Sequence, residues 1–348
     1  MNYYGIIALV TFVVSFLLVL LGLKFFPKWN LMDCPERYGI KRAPIPYYGG
    51  VLIFLGFLIS VLIFVDLSRE VVGLLIGSGL IVFVGFLDDK FRLSPILRIF
   101  VQVLSAVILV ASGVGILSIS NPFGGVIDLN LFHVYGVPLL GALFTVVWIV
   151  LITNTMNFLD GVGGLSSGVS FIASLTIFFL SVRPDIHADP ASQQIVAFLA
   201  LILAFCALAF LIFDFPPAKI LMGDSGSTFL GFVLATLAIF SGGKVATAFL
   251  VLGIPILDAS WVIFRRIFEG KKPWQGDLKH LHHRLLYLGL TDYSVLFVVY
   301  GLSVLFGVLA IICVSTKQKF FVLIGLVVLM LVLIAGILSF SKKKKLNK

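Results

Sequence analysis

Eleven apolar runs, most of them close to 20 residues long, follow one another along the chain with only short polar breaks between them. A helix needs roughly 20 apolar residues to cross the hydrocarbon core of a bilayer, whereas a membrane strand needs only about 9–11. Inside that core only helices and closed barrels satisfy every backbone N–H and C=O. Runs of this length therefore predict an all-α, polytopic membrane bundle of about 11 helices. The expected spans are 3–26, 48–65, 71–87, 96–117, 138–156, 163–182, 193–213, 226–241, 245–264, 293–315 and 320–341. They use most of the 348 residues and leave short loops, so a single integral-membrane domain over 1–341 and a basic tail at 342–348 are expected. The chain is 60% hydrophobic and 12% charged, against about 25% charged in soluble domains. The first run is too long for a cleavable signal peptide and has no positive charge before it, so it is read as a span.

The charge pattern orients the bundle. When Lys and Arg are assigned to alternate loops, 20 of the 25 fall on one side and five on the other. The positive-inside rule then places the N-terminus outside and the C-terminus in the cytoplasm. The net charge of +9 is explained by this asymmetry and by attraction to anionic lipid, and it gives no reason to expect nucleic acid. Three cysteines, Cys34, Cys206 and Cys313, have no metal-ligand spacing and predict neither disulfide nor redox chemistry.

The exterior loops are poor in chemistry. Residues 124–136 (GGVIDLNLFHVYG) alternate enough to predict a small hairpin, and His133 and His187 read as ordinary loop residues. On the cytoplasmic side five polar clusters sit at or just inside helix ends. Lys41-Arg42 precedes two prolines and the pair Gly49-Gly50; it is either a membrane-flanking loop or a pair of cations aimed at phosphate. Asp88-Asp89 closes the third span, where two carboxylates repel each other and the negative end of the helix dipole. Neighbours in a helix point about 100° apart, so the two acids suit different tasks, one of them holding a metal. Asn154, Asn157 and Asp160 follow in NTMNFLDGVGG, with Asn157 and Asp160 on one face if the helix continues. They form either a polar turn or a site, because polar groups this close to the apolar layer are costly.

Asp214, Lys219 and Asp224 flank the start of the eighth span, where Asp224 is either an N-cap or a carboxylate that brings metal and phosphate together. His280, His282, His283 and Arg284 lie in the longest inner loop. With no nearby Cys, and with hard acids for company, these histidines suit phosphate better than zinc. Asp258, inside the ninth span, is expected either to pair with Arg265 or to serve a site. Arg98, on the same side, joins the candidate phosphate-binding cations. Carboxylates with Asn, Lys, Arg and His at one membrane surface describe a magnesium-dependent phosphate site. No Walker pattern is present to suggest ATP hydrolysis.

Four stretches, in order, carry a family resemblance: Asp88-Asp89, residues 154–168 (NTMNFLDGVGGLSSG), residues 216–231 (PPAKILMGDSGSTFLG) and residues 277–286 (DLKHLHHRLL). Together, and over nearly the whole chain, the sequence resembles the polyprenyl-phosphate N-acetylhexosamine-1-phosphate transferases, glycosyltransferase family 4. The nearest branch is the bacterial undecaprenyl-phosphate GlcNAc-1-phosphate transferases. The resemblance implies transfer of a sugar phosphate from a UDP-sugar donor to undecaprenyl phosphate, with release of UMP, at the cytoplasmic face of the cell membrane. It implies Mg²⁺, with Mn²⁺ as an alternative, held by Asp224 with Asp89 close by. Asp88 would act as base or orienter of the lipid phosphate. Asn157 and Asp160 would face the nucleotide-sugar, and His280, His282, His283 and Arg284 the diphosphate, with a homodimer allowed.

The family pattern is not matched everywhere. Gly163 stands in place of the second Asp of DGxDG, Asp214 in place of Asn, and Leu221 in place of an aromatic. A first-loop His of many relatives is missing, which leaves Lys41-Arg42. Most of these departures concern nucleotide recognition, so altered nucleotide or sugar selection with intact chemistry is expected. Two rival readings are a transporter and an intramembrane aspartyl protease. The transporter would more naturally show two related halves with midplane charges. The protease would leave the histidine loop and the Asn cluster unexplained.

Overall fold

A computed structural model describes residues 3–38, 42–183, 190–240, 245–270 and 280–346. Its helices are α1 (Tyr3–Phe25), α2 (Gly49–Phe64), α3 (Arg69–Phe91), α4 (Pro95–Ala111), α5 (Leu139–Leu159), α6 (Leu165–Ser181) and α7 (Pro190–Asp214). They continue as α8 (Gly223–Phe240), α9 (Val245–Val251), α10 (Gly253–Phe268), α11 (Leu281–Tyr287), α12 (Asp292–Ile312) and α13 (Thr316–Leu346). Among the described residues six helices are long and apolar enough to cross a membrane, and three shorter apolar ones join them. The chain is a mostly helical, multi-pass membrane protein.

Most helix ends lie within a few residues of the expected spans, but α4 stops at Ala111, short of the expected 117, and one run is divided. The run 245–264 is broken at Leu252 into α9 and α10. Pro255 is the reason: inside a helix it removes a hydrogen bond and clashes with the preceding turn, but in a first turn it is tolerated. Restarting at Gly253 puts it there. The short α11, with the sequence LHHRLLY, lies in the histidine loop, outside the expected spans. The hairpin expected at 124–136 resolves into two. Strands β1 (Ser118–Ser120) and β2 (Val126–Asp128) pair antiparallel, as do β3 (His133–Val134) and β4 (Val137–Pro138). Tyr135 and Gly136, both at positive φ, form the two-residue turn of the second. His133 contacts Asn130 in this exposed loop, as an ordinary loop residue would; His187 lies outside the described residues.

Helix α8 is the axis of the bundle. In its apolar window 83% of residues are buried, against 28% for α1, so α1 presents most of its surface outward while α8 is enclosed by α2, α3, α5 and α6. Close approach at its N-terminus depends on two glycines. A Cβ on Gly50 would collide with the backbone of Gly226, and one on Gly85 with that of Ser225. The amides of Gly49 and Gly50 donate to the carbonyls of Leu221 and Met222, at 2.9 and 2.8 Å, which ties the start of α2 to the entry of α8. As a result the C-terminal ends of α3, α5 and α7 and the N-terminal ends of α2, α4, α6 and α8 meet at one end of the bundle. The polar clusters of the sequence gather there.

Candidate active site

The adjacent acids of α3 point apart by about 100° around the helix. Asp89 points at the N-terminus of α8: its Oδ1 accepts the amide of Asp224 at 2.8 Å, and its Oδ2 accepts the amide and hydroxyl of Ser225 at 3.2 and 3.0 Å. A carboxylate unfavourable at the end of its own helix thus becomes the cap of another, where free N–H groups and the positive dipole end welcome it. Asp88 turns the other way. Its Oδ1 accepts the Leu93 amide at 2.6 Å, and its Oδ2 lies 3.0 Å from Nη1 of Arg98. The α3–α4 turn allows this, with Arg92 in the left-handed region at φ 55° and Ser94 capping α4 ahead of Pro95.

Because Asp89 caps α8, Asp224 does not have to. Its Oδ2 also lies 3.0 Å from Nη1 of Arg98, and its Oδ1 accepts Nδ2 of Asn157 at 3.1 Å. The same Asn157 amide nitrogen is 3.0 Å from Oγ of Ser227, which fixes its orientation. Asp88, Arg98, Asp224 and Asn157, from four helices, therefore form one connected constellation.

Two cavities meet at it. The larger, of about 1020 Å³, is a polar cleft lined by Arg42, Lys90, Arg92, Asp160, Asp214 and His283, among others. The smaller, of about 270 Å³, has mainly apolar walls, including Ile81, Val84, Ile99, Val101 and Ile263. Asp88, Arg98 and Asp224 line both.

The remaining candidates divide by position. Arg42 reaches the cleft and is paired with Asp33, which also accepts the Ile45 amide at 2.7 Å; Lys41 lies outside the described residues. Asp160, just past α5, faces the cleft half-buried and accepts no hydrogen bond among the described residues. Burial, reinforced by the charges of Asp214, Asp224 and Asp89, pushes its carboxyl well above the usual carboxylate range. Asp214 is turned inward: Oδ2 accepts the Gly164 amide at 2.9 Å and the Ser167 hydroxyl at 2.7 Å, fastening the turn after α5 to the end of α7. Asn154 lies on the apolar cavity, where its amide pairs with that of Gln102 at 2.6 Å. Lys219 is exposed and lines neither cavity.

Among the described residues of the histidine segment, His283 alone lines the cleft. His280 caps α11 from a buried position, with Nδ1 2.9 Å from Asp258 Oδ2, while Asp258 Oδ1 accepts the Leu281 amide at 2.7 Å. Asp258 is thus tied to the histidine loop, not to Arg265, whose Nε lies 3.6 Å from Glu269. His282 is 1% exposed, and neither ring nitrogen has a hydrogen-bond partner among the described residues. Burial, then the neighbouring His283 and His280, push its pKa down to about 3, so the ring is neutral. Arg284 is half-buried and lines neither cavity. Lys90, Arg92 and Asp33 were not singled out in the sequence, although Lys90 directly follows the acid pair.

The donor chemistry suits magnesium. Among the described residues no three acids or histidines are gathered into a ready-made metal cage. Mg²⁺ commonly takes one or two carboxylates and completes its shell with water and substrate phosphates. Asp224 and Asp88, with hard oxygens converging beside an open cleft, match that habit.

The model of the family described as glycosyl transferase family 4 matches residues 71–242, the segment holding α3 to α8. Among similar proteins is the "Probable undecaprenyl-phosphate N-acetylglucosaminyl 1-phosphate transferase" of Bacillus subtilis, 31% identical over 314 residues, or 87% of this chain and 84% of the relative. The "Undecaprenyl-phosphate alpha-N-acetylglucosaminyl 1-phosphate transferase" of Thermotoga maritima is 30% identical over 92% of this chain and 94% of its own. A "Decaprenyl-phosphate N-acetylglucosaminephosphotransferase" of Mycobacterium tuberculosis is 30% identical over 84% and 79%. The chain belongs to glycosyl transferase family 4, the polyprenyl-phosphate N-acetylhexosamine-1-phosphate transferases.

Proposed function

We propose that this protein transfers N-acetylhexosamine-1-phosphate, with GlcNAc-1-phosphate the first choice, from a UDP-sugar to undecaprenyl phosphate at the cytoplasmic face of the cell membrane. UMP is released and a lipid-linked first sugar of an envelope polysaccharide is formed. The observation that carries this reading is the meeting of the two cavities at Asp88, Arg98 and Asp224. An apolar cavity leads a lipid tail to one side of these charges, and a polar cleft brings a nucleotide-sugar to the other. The cleft's volume is at the upper end of ordinary ligand pockets, about 300–1000 Å³. The names of the relatives support the acceptor class and the transferred group.

In the reaction an oxygen of the lipid phosphate attacks the β-phosphorus of the donor, and the bond to the UMP oxygen breaks. One pyrophosphate linkage replaces another, so no further energy source is required. The barrier is electrostatic: a UDP-sugar carries about −2 and a phosphate monoester about −1.5 to −2 at pH 7. Mg²⁺ bound at Asp224 and Asp88 would supply charge neutralisation on the phosphates. In this proposal Asp89, the expected second ligand, serves by fixing α8, and Asp88 takes its place at the cation. Asn157 holds the Asp224 carboxylate in register. Arg42, Lys90, Arg92 and His283 bring positive charge or donors to the donor's diphosphate. The lipid phosphate is already an anion near pH 7, so it requires little help from a general base.

The Lys and Arg asymmetry supports eleven spans with the site facing the cytoplasm. A transporter reading does not account for the two converging cavities or for the relatives. The test is UMP release from UDP-GlcNAc by the purified protein, with undecaprenyl phosphate and Mg²⁺. Release that needs both additions and disappears in Asp224→Asn supports the proposal. Absence of release across a panel of nucleotide-sugars would overturn it.

A further inference from the structure

Arg98 is a cation held in an unusual way. One guanidinium nitrogen, Nη1, serves both Asp88 and Asp224 at 3.0 Å, while the rest of the fork makes no hydrogen bond among the described residues. An arginine that builds a stable carboxylate contact generally uses its parallel N–H groups in a bidentate pair. Arg98 also sits in the first turn of α4, where the helix dipole disfavours a positive charge. Among the described residues only the two acids hold it, and its side chain remains 39% exposed.

The acids, by contrast, do not depend on Arg98. Asp88 is fixed by the Leu93 amide and Asp224 by Asn157, and Asp88 is only 7% exposed. Two preset carboxylate oxygens therefore converge on one point of positive charge, and the group filling it has no further hydrogen-bond anchor among the described residues. That group lines both cavities.

We propose that Arg98 is the resident counter-ion of the Asp88–Asp224 pair: it yields this place to a divalent cation and is then released, fork first, to the phosphate of the lipid acceptor. The inference rests on the transferase reading above. Arg98 and the metal thus compete for the same two oxygens, while Arg98 and the acceptor cooperate. Linkage then requires that the acceptor favour metal binding through the displaced guanidinium.

The test is Mn²⁺ binding to the full-length, detergent-solubilised protein, read as loss of the free-ion EPR signal, with no turnover involved. Arg98→Gln is expected to bind Mn²⁺ about tenfold more tightly than the wild type, because the competitor and one positive charge are gone. Arg98→Lys, which keeps the charge but not the fork, is expected to stay within about threefold of wild type. Added undecaprenyl phosphate is expected to tighten Mn²⁺ binding several-fold more in the wild type than in either variant. Weaker Mn²⁺ binding in Arg98→Gln would overturn the inference and make Arg98 a brace for the acids. An acceptor effect equal in all three proteins would remove the second half of it. Asp224→Asn separates this failure from that of the underlying reading: if the wild type shows no saturable Mn²⁺ site, or Asp224→Asn leaves it unchanged, the metal assignment itself is wrong.

Discussion

Asp88 and Asp89 are neighbours in sequence, yet one faces a cation and the other caps a helix. Their variants should therefore fail differently. Asp88→Asn and Asp224→Asn are expected to lower turnover by about 10²–10³-fold, the scale for removing one preorganised electrostatic group, with little change in melting temperature. Asp89→Ala removes three hydrogen bonds at the N-terminus of α8 and is expected to cost about 2–4 kcal/mol of stability as well. Paired activity and thermal-unfolding measurements in detergent separate the two classes. The neutral, buried His282 gives a pH signature. Its folded pKa, about 3, lies below the unfolded value of about 6.5, so the unfolded chain binds the extra proton. Its contribution is complete above about pH 6.5 and is lost as the pH falls, by about 1.4 kcal/mol per unit. The melting temperature should drop between pH 7 and 5, and His282→Gln should flatten that slope; an unchanged slope would assign it elsewhere. The sequence marked the acid pair as costly and said that its members point apart, but 100° of rotation does not say which neighbour each one meets. Asp258 shows the same limit. Periodicity sees Arg265 two turns on, whereas the actual partner, His280, arrives from a separate loop.

At the scale of elements, the apolar cavity is shaped by α3, α4, α5, α8 and α10. Filling it should obstruct the lipid and spare the nucleotide. Val84→Trp is expected to raise KM for undecaprenyl phosphate at least tenfold while the affinity for the UDP-sugar, measured by calorimetry, stays within about twofold. Equal losses for both would mean that this cavity is not the lipid's path. Most helix boundaries were legible because length and apolarity alone define a membrane helix. The break at Leu252 is written in Pro255, although the uniform apolarity around it hides the signal. The turn after α5 was legible in composition but not in contact. A Cβ at Gly163 would stand 2.8 Å from the Asp214 carbonyl oxygen, so this backbone is shaped around the missing side chain. The carboxylate found at position 214 is spent on Gly164 and Ser167. Under the proposed reaction, nucleotide recognition would draw on other parts of the cleft, and altered nucleotide or sugar selection is the expected result of a nucleotide-sugar panel; strict preference for UDP-GlcNAc would count against it.

At the scale of the whole molecule, every element that carries the site meets at one end of the bundle, and the β1–β2 and β3–β4 hairpins mark the other. That separation predicts a topology: a reporter fused after residue 344 should be active only in the cytoplasm, and one inserted between Gly124 and Gly125 only outside. The apolar runs made the helices readable from the sequence, and the bias of Lys and Arg supplies the orientation that the reporters test. The convergence of two cavities on Asp88, Arg98 and Asp224 was not readable there, since it arises from packing among α3, α4 and α8. The central claim is that a phosphorus atom crosses from one cavity to the other together with its sugar. It is tested most directly by incubating the purified protein with undecaprenyl phosphate, Mg²⁺ and UDP-GlcNAc labelled with ³²P at the β-phosphate, then extracting the lipid. The account predicts label in the lipid phase in equal measure with UMP in the aqueous phase. Label left behind as UDP, with sugar alone on the lipid, would contradict it.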